Sequence, residues 1–191
     1  MKFTRTKIED VVIIEPTIHG DERGYFLETF RQDKLEDFLG FKFNFCQDNE
    51  SKSSKGVLRG LHYQIAPFAQ TKLVRVIKGK VLDVAVDIRK NSLTFGQYVS
   101  VELSADNKKQ LFIPRGFAHG FVVLEDDTIF AYKVDNYYSP EYDRGIAFDD
   151  KDLNIDWIIK KEELKLSSKD MKQLKLNETD DLFEFGVDYY V

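Results

Sequence analysis

The 191-residue sequence contains one cysteine, four prolines and three histidines, and it has no long hydrophobic run. A single cysteine excludes an intrachain disulfide, which is typical of a reducing compartment, and Cys46 is expected to be a small buried side chain. No segment reaches the roughly 20 apolar residues of a membrane-spanning helix, and the opening MKFTRTK lacks the apolar region of a secretory signal. The sequence therefore predicts a cytoplasmic protein with no membrane partner.

The chain also lacks an excess of positive charge. Its formal net charge of -5 argues against nucleic acid as a partner, and an anionic ligand would need a local basic cluster. Hydrophobic residues make up 42% of the chain, enough for the core of one domain. Since no repeat or linker divides the chain, we predict one domain over residues 1–191, with a core at about 5–175 and a C-terminal tail packed on it.

Short strand patterns separated by turn signals dominate the middle of the chain, which predicts a β-sandwich or barrel. Along residues 81–88 apolar side chains alternate with Asp83 and Asp87, so the pleat separates a core side from a polar side. The sequence Lys78-Gly79-Lys80 predicts a hairpin turn between strands over 73–77 and 81–88.

Helical signals are few and short. Residues 31–39 predict a helix, because Leu35 and its periodic neighbours share one face and Gly40 suits the position just beyond the C-terminus. In the tail, residues 160–164 and 168–174 predict two further short helices.

The most informative stretch is Gly56–Gln64 (GVLRGLHYQ), which places Arg59 and His62 in a segment otherwise typical of a buried strand. A second histidine, His119, lies in Pro114–Phe121 (PRGFAHGF). Histidine titrates near neutral pH, and arginine binds phosphate or carboxylate oxygens through a planar fork. Two such sites in an apolar, β-rich setting indicate a lined pocket.

These two stretches resemble the motifs of the cupin jelly roll, as Gly56-x5-His62 and Pro114-x-Gly116-x2-His119. More specifically, the chain is similar to the dTDP-4-dehydrorhamnose 3,5-epimerase family over roughly residues 5–175. The matching segments are Gln47–Asn49, Gly56–Gln64, Gln70–Arg75, Asp83–Arg89, Phe112–Phe121 and Tyr137–Pro140. The resemblance implies a mainly β protein, a cupin-type jelly-roll barrel with a few short peripheral helices, and a homodimer.

The residues depart from a metal-binding cupin, which uses two histidines and a glutamate of the first motif and one histidine of the second. Gln64 replaces one of those histidines, and Lys72 lies in the region of the glutamate. His62 and His119 beside an ammonium group make a poor site for a divalent cation. We therefore expect no metal and no other cofactor, and a metal-dependent cupin oxygenase is disfavoured.

The resemblance implies epimerisation at C3 and C5 of dTDP-4-dehydro-6-deoxy-D-glucose. Inversion beside a ketone needs a base, an electrophile for the enolate oxygen and an acid on the opposite face. His62 suits the base, and the resemblance implies that Asp170 orients its imidazole. Lys72 suits the electrophile. Tyr132 suits the acid, and the family places the matching tyrosine across the sugar from the histidine.

The implied substrate carries two phosphates, for which arginine is the natural partner, and Arg59 lies three residues before His62. The resemblance adds Arg23, which in the family often reaches the ligand from the neighbouring subunit, and Phe26 and Tyr138, which could sandwich the thymine. The other substrate-binding positions implied by the family are Glu28, Gln47, Asp48, Asn49, His119, Asp143 and Lys169.

Several alternatives stay open on the residues alone. Asp143 stands where family members often carry glutamate, and His119 either contacts the ligand or supports His62. An enzyme that inverts only C3 or only C5, or a 3,4-ketoisomerase, would share the base. A sugar-nucleotide binding protein without catalysis is disfavoured, because binding needs neither a base nor an acid.

Overall fold

The fold is built mainly from short strands. The computed structural model describes residues 1–190, and Val191, which the single-domain prediction includes, lies outside them. Within residues 1–190 the strands are β1 Lys2–Arg5, β2 Val12–Glu15, β3 Ile18–Asp21, β4 Gly24–Leu27, β5 Gln47–Ser53, β6 Leu58–Gln64, β7 Lys72–Lys78, β8 Lys80–Asp87, β9 Arg89–Lys90, β10 Tyr98–Ser104, β11 Gln110–Ile113, β12 Phe117–Val123, β13 Thr128–Val134, β14 Asp143–Gly145 and β15 Phe183–Glu184. The helices in this range are α1 Gln32–Leu39 and the 3₁₀ turns Pro140–Tyr142, Lys161–Glu163, Asp170–Lys172 and Leu176–Glu178.

Two antiparallel sheets face each other. One has the order β1-β2-β11-β7-β13-β5, and the other has the order β10-β8-β12-β6-β14. Apolar side chains of both sheets meet in one interior cluster, where Val74 and Phe130 of the first sheet face Ala85 and Phe121 of the second. This arrangement confirms the predicted mainly β, cupin-type jelly roll.

The hairpin predicted at Lys78-Gly79-Lys80 is wrong. Strand β7 belongs to the first sheet and β8 to the second, so this turn carries the chain from one sheet to the other. Gly79 has a φ of 78°, and an added Cβ would collide with the Thr128 side chain. Gly79 therefore makes the tight turn that connects the two sheets. The prediction failed because a glycine turn has the same sequence pattern whether the two flanking strands pair with each other or belong to different sheets.

Both faces of β8 are buried, which changes the meaning of its alternation. Leu82, Val84 and Val86 pack outside the barrel against a cluster that includes Trp157. Asp83 lies on the other face with no exposed surface. The polar side of this strand therefore faces the barrel interior rather than water, and it brings a carboxylate into the centre of the fold.

The helix predicted over residues 31–39 is observed as α1. Leu35 is buried, and Gly40 adopts the left-handed conformation with its N–H donating to the Glu36 carbonyl at 2.8 Å. The tail helices predicted at 160–164 and 168–174 are shorter than expected, because each is a single 3₁₀ turn.

The tail returns to the body of the protein through several contacts. Val57 bridges to Lys165, and β15 pairs in parallel with β9. Leu176 and Phe183 are buried in the same cluster as Trp157. These contacts hold the segment around residue 170 beside β6.

Cys46 is exposed, so its predicted burial is wrong. Along this segment the aromatic side chains Phe43 and Phe45 point into an apolar cluster, and the alternation turns Cys46 outward. Among residues 1–190, no helix has the length and apolar character needed to span a membrane.

Candidate active site

A cavity of about 340 Å³ lies between the two sheets and brings together much of the predicted site. Six of the predicted site residues line the cavity from strands, namely Asn49, Arg59, His62, Lys72, His119 and Tyr132. Two predicted residues of the tail, Lys169 and Asp170, also line it. Residues that are far apart in the sequence therefore converge on one interior space.

The two cavity histidines are neighbours because β6 and β12 approach closely. His62 pairs directly with His119 across these strands. Gly60 has a φ of 127°, and an added Cβ would lie 2.5 Å from the Gly120 Cα. Glycine at both positions is what permits this approach.

His62 forms a dyad with Asp170. The imidazole Nε2 lies 2.5 Å from Oδ1 of Asp170, and the Ser167 hydroxyl donates to the other carboxylate oxygen at 2.8 Å. Burial acts to raise the pKa of Asp170, but the hydrogen bonds from His62 and Ser167 outweigh it and lower that pKa. An ionised Asp170 accepts the Nε2–H, which leaves the Nδ1 lone pair of His62 free to take a proton.

His119 forms a second pair, with Asp83. Its Nε2 lies 2.9 Å and 3.1 Å from the two carboxylate oxygens, and both side chains are buried. Burial lowers the pKa of His119, although the nearby Asp83 carboxylate acts to raise it. Because the pKa is lowered, the imidazole is neutral at neutral pH. Sequence reasoning missed Asp83 as a site partner, although its place on the polar face of β8 was a usable signal.

Lys72 stands at the start of β7 with its ammonium group in the cavity. Its Nζ donates to the His62 carbonyl oxygen at 3.3 Å. Loss of water around the ammonium lowers the pKa of Lys72 to about 8, against the attraction of Asp143 and Asp83. The side chain is therefore a cation at neutral pH that is poorly solvated and able to stabilise a developing negative charge.

Tyr132 belongs to β13 in the first sheet, whereas His62 belongs to β6 in the second. The two side chains thus enter the cavity from facing walls. Burial raises the pKa of Tyr132, and the positive charge of Arg59 acts in the opposite direction. The phenol consequently remains protonated at neutral pH and can donate a proton.

The predicted residues of β5 divide between its two faces. Asn49 lines the cavity, and Gln47 on the same face donates to its side chain at 2.8 Å. Asp48 points to the outer face, where Lys133 donates to it at 2.8 Å. The structure therefore brings Asn49 to the cavity and leaves Asp48 outside it, because successive strand residues face opposite ways.

A polar group formed by Tyr138, Asp143 and Lys169 lies at the mouth of the cavity. The Tyr138 hydroxyl donates to the Asp143 carboxylate at 3.0 Å, and the Lys169 ammonium pairs with the same oxygen. Buried Gln64 supports the loop before them, since it donates to the carbonyls of Phe68 and Tyr137. The glutamine that replaces a cupin histidine thus stabilises this loop through hydrogen bonds to its backbone.

Three predicted residues, Arg23, Phe26 and Glu28, lie on or beside the β3–β4 hairpin and away from the cavity. Arg23 contacts Asp21 at 2.5 Å, and Glu28 pairs with Arg31 at 3.2 Å. Phe26 is 67% exposed, although it is aromatic. Within one chain, the structure does not bring these residues to the site.

Within the described part of the chain, 1–190, no group of three or more His, Cys, Asp or Glu side chains is arranged to hold a metal ion. The carboxylates beside the two cavity histidines are each engaged with the imidazole Nε2 atoms. Both carboxylates therefore serve as hydrogen-bond partners of the cavity histidines.

Comparison with known proteins gives consistent matches. The family model for dTDP-4-dehydrorhamnose 3,5-epimerase matches residues 5–178. A relative of that name from Shigella flexneri is 54% identical over 180 residues, covering 94% of this chain and 98% of its own. The structure of dTDP-6-deoxy-D-glucose-3,5-epimerase from Legionella pneumophila, in complex with dTDP-4-keto-L-rhamnose, is 49% identical with a TM-score of 0.93, covering 97% and 99% of the two chains. A 3′-monoepimerase from Streptomyces bikiniensis, in complex with dTDP-quinovose, is 31% identical with a TM-score of 0.88, covering 95% and 92%.

The protein is a jelly roll whose cavity is lined by histidine, lysine and tyrosine side chains. Epimerases match it along most of its length, and it is therefore an isomerase. The chain belongs to the dTDP-4-dehydrorhamnose 3,5-epimerase family.

Proposed function

We propose that this protein epimerises dTDP-4-dehydro-6-deoxy-D-glucose at C3 and C5 to give dTDP-4-dehydro-L-rhamnose, a step of dTDP-rhamnose biosynthesis. The observation that carries the proposal is the placement of the His62–Asp170 dyad and of Tyr132 on facing walls of one cavity. Inversion of a carbon requires proton removal from one face and proton return to the other, and this placement suits that requirement.

In the proposed reaction, Nδ1 of His62 removes the proton from the carbon beside the C4 ketone. The electron pair moves onto the ketone oxygen, and the Lys72 ammonium stabilises the resulting enolate. Ionised Asp170 stabilises the imidazolium that forms, through the Nε2–H hydrogen bond. Proton removal thus leaves a planar carbon between the two walls of the cavity.

Tyr132 then donates its phenolic proton to the opposite face of that carbon, and the ketone re-forms. The imidazolium of His62 gives its proton to solvent, and the Tyr132 phenolate regains one. No oxidant or metal is required for this balance, and each inverted carbon acquires a proton from solvent. The same set of groups serves C3 and C5 when the sugar presents each carbon in turn.

The nucleotide is assigned to the mouth of the cavity. Arg59 lies beside the sugar-sized interior, where its guanidinium contacts the Ser53 hydroxyl at 3.3 Å and retains donors for a diphosphate. Tyr138 and Lys169, joined through Asp143, suit the outer part of the nucleotide. Asn49 supplies amide groups to the same side.

Proton NMR of dTDP-4-dehydro-6-deoxy-D-glucose in heavy water tests the proposal. Loss of both the H3 and H5 signals, with formation of the L-lyxo product, is the expected result. Exchange at a single carbon would support the second candidate, a mono-epimerase, which the likeness to the Streptomyces bikiniensis 3′-monoepimerase favours. Binding of dTDP without exchange would reduce the proposal to a sugar-nucleotide binding protein.

The pH dependence gives a prediction about Lys72. Its pKa of about 8 means that the ammonium is present at neutral pH and is lost as the pH rises through that value. We expect kcat/KM, which reports groups of the free enzyme, to fall in the same range, whereas Lys72→Arg removes the fall because guanidinium stays charged. Steady-state kinetics from about pH 6 to 9.5 check this. An identical alkaline fall in the arginine variant would assign it to another group.

We also propose a homodimer in which the β3–β4 hairpin of each subunit completes the cavity of the other. The hairpin carries Arg23, Phe26 and, just beyond it, Glu28, and it exposes apolar side chains: Ile18 at 48%, Tyr25 at 61% and Phe26 at 67%. Such a surface is unusual for a monomer and suits contact with a second copy.

Mixing two inactive variants tests this arrangement. Arg23→Ala lacks a functional hairpin, and His62→Ala lacks the base, so a mixed dimer contains one complete cavity if the hairpin acts between subunits. After denaturation and refolding of an equal mixture, activity is expected to return to about a quarter of wild type. The control is each variant refolded alone. No recovery in the mixture would mean that the hairpin serves its own chain, and activity of Arg23→Ala refolded alone would mean that the hairpin is not needed.

A further inference from the structure

The segment beyond the family match at residue 178 folds back over the body of the protein. We define residues 183–190 as the C-terminal strap. Phe183 anchors it, since its side chain is 2% exposed and its strand β15 pairs with β9. The Tyr189 ring packs edge-on against Phe183 at 4.8 Å, and its hydroxyl accepts the Glu184 N–H at 2.8 Å. The strap is therefore an ordered element with its own internal contacts.

Tyr190 connects this strap to the interior. Its ring centre lies 4.7 Å from that of Phe41, and the Arg115 guanidinium lies 4.8 Å from the Tyr190 ring centre. Its hydroxyl shares a hydrogen bond of 2.8 Å with the Thr71 hydroxyl and accepts the Arg115 N–H at 3.3 Å. Since Thr71 has no exposed surface, Tyr190 supplies a partner that water does not replace.

Thr71 stands immediately before Lys72, at the point where the chain enters the sheet. The Thr71 N–H donates to Asp135 at 2.6 Å, and Asp135 in turn accepts from Arg115 at 3.1 Å. Arg115 also donates to the Tyr189 carbonyl. The strap, Arg115, Asp135 and Thr71 thus form one connected network that ends next to the cavity lysine.

The Lys72 ammonium donates to the His62 carbonyl at 3.3 Å, which is a long hydrogen bond. Its placement consequently depends on the backbone that carries it. Thr71 is the residue directly before β7, so holding its side chain restrains the backbone from which Lys72 enters the strand. A contact outside the cavity can in this way control an atom inside it.

We propose that Tyr190 is a positioning residue, whose hydrogen bond to Thr71 holds Lys72 in the orientation needed to stabilise the enolate. The inference rests on the proposed function of Lys72. It assigns a role in the reaction to the C-terminal strap, which lies outside the segment matched by the family model.

Tyr190→Phe tests this role, because it removes the hydroxyl and keeps the ring between Phe41 and Arg115. The expected result is a fall in kcat of about fivefold with KM unchanged, the size of one hydrogen bond expressed in the transition state. Tyr189→Phe is the matched control, since it removes a strap hydroxyl whose partner lies within the strap. It is expected to leave kcat within about twofold of wild type.

A double-mutant cycle isolates the hydrogen bond from general loosening. Thr71→Val removes the partner hydroxyl with little change of shape and is expected to lower kcat as Tyr190→Phe does. The loss in the double variant should be smaller than the combined losses of the two single variants, because both remove the Tyr190–Thr71 hydrogen bond. Additive losses would overturn the proposal, and so would equal losses in Tyr190→Phe and Tyr189→Phe.

A substrate-free measurement separates this inference from the proposed function. NMR titration of protein labelled with ¹³C-lysine reports the Lys72 signal directly. Tyr190→Phe should move that signal and its titration, while Tyr189→Phe should not. The charged groups that act on Lys72, namely Asp143, Asp83 and Lys169, are unchanged in both variants. A Lys72 signal identical to wild type in Tyr190→Phe would overturn the inference, whatever reaction the protein catalyses.

Discussion

Replacing His62 with alanine is expected to lower kcat by about 10²–10⁴-fold, the range that a general base supplies. The imidazole Nε2 lies 2.5 Å from Oδ1 of Asp170, so this carboxylate can orient the ring and stabilise the imidazolium that forms. His119 does not offer an equivalent substitute, although its Nε2 also has a carboxylate partner, because burial lowers the pKa of its ring and makes it a weaker base than an ordinary imidazole. The measurement is loss of the H3 and H5 signals in heavy water, followed by NMR.

The binding of dTDP provides the control for the His62 variant. The nucleotide contacts assigned to Arg59, Tyr138 and Lys169 do not involve the imidazole, so affinity measured by calorimetry should stay within a few-fold of wild type. His62→Gln, which keeps a polar side chain of similar size, guards against a packing defect and should lose exchange to the same degree. Exchange at a near wild-type rate in either variant would show that the proposed base is wrong.

Tyr132→Phe is expected to lower the rate of inversion by about 10²–10³-fold while hydrogen exchange at C3 and C5 continues. Proton removal depends on the wall that carries His62, and only the return of a proton to the opposite face needs the phenol. The enolate formed in the variant therefore regains a deuteron on the face from which it lost a proton. In heavy water the expected product is deuterated substrate of unchanged configuration, which NMR distinguishes from the L-lyxo sugar.

A tyrosine outside the cavity gives the matched control for this prediction. Tyr98 packs against the cluster on the far side of the second sheet, and its hydroxyl accepts the Asp156 N–H at 3.4 Å. Tyr98→Phe should leave both exchange and inversion near wild type. If Tyr132→Phe lost exchange and inversion equally, the phenol would have a role in proton removal or binding, and the two-wall mechanism would fail.

Sequence patterns predicted the local elements well where a short stretch contains its own signal. Helix α1 was predicted because the apolar spacing and Gly40 are both local, and the structure confirms it. The strand over 81–88 was predicted for the same reason. The hairpin predicted at Gly79 is wrong because β7 and β8 belong to different sheets. A glycine turn of this kind can connect either two paired strands or two different sheets. Only long-range pairing decides between these outcomes.

The sequence predicted which residues line the cavity better than it predicted which of their side chains contact each other. The motifs around His62 and His119 indicated a pocket, and the resemblance added Lys72, Tyr132 and Asp170. All five line one cavity in the structure. Asp83 and Ser167 were missed, because a carboxylate or hydroxyl becomes a site partner through the side chain that it faces.

Strand alternation explains which neighbours in the sequence separate in space. Asn49 lines the cavity, whereas Asp48 faces Lys133 on the outside of the sheet. The hairpin residues Arg23 and Phe26 lie away from the cavity of their own chain, which is why a second subunit enters the proposal. A residue that matches a family position does not by that match reveal which face of the sheet it points to, or which subunit's cavity it contacts.

By itself, the sequence determined the mainly β class, the family and the titratable groups available for chemistry, because these depend on residue types and on spacing along the chain. The tertiary structure alone decided that Asp83 meets His119 and that Tyr190 meets Thr71 across 119 residues. It also decided that the polar face of β8 is buried. Contacts at such separations follow from how two sheets close on each other, and no local pattern encodes that closure.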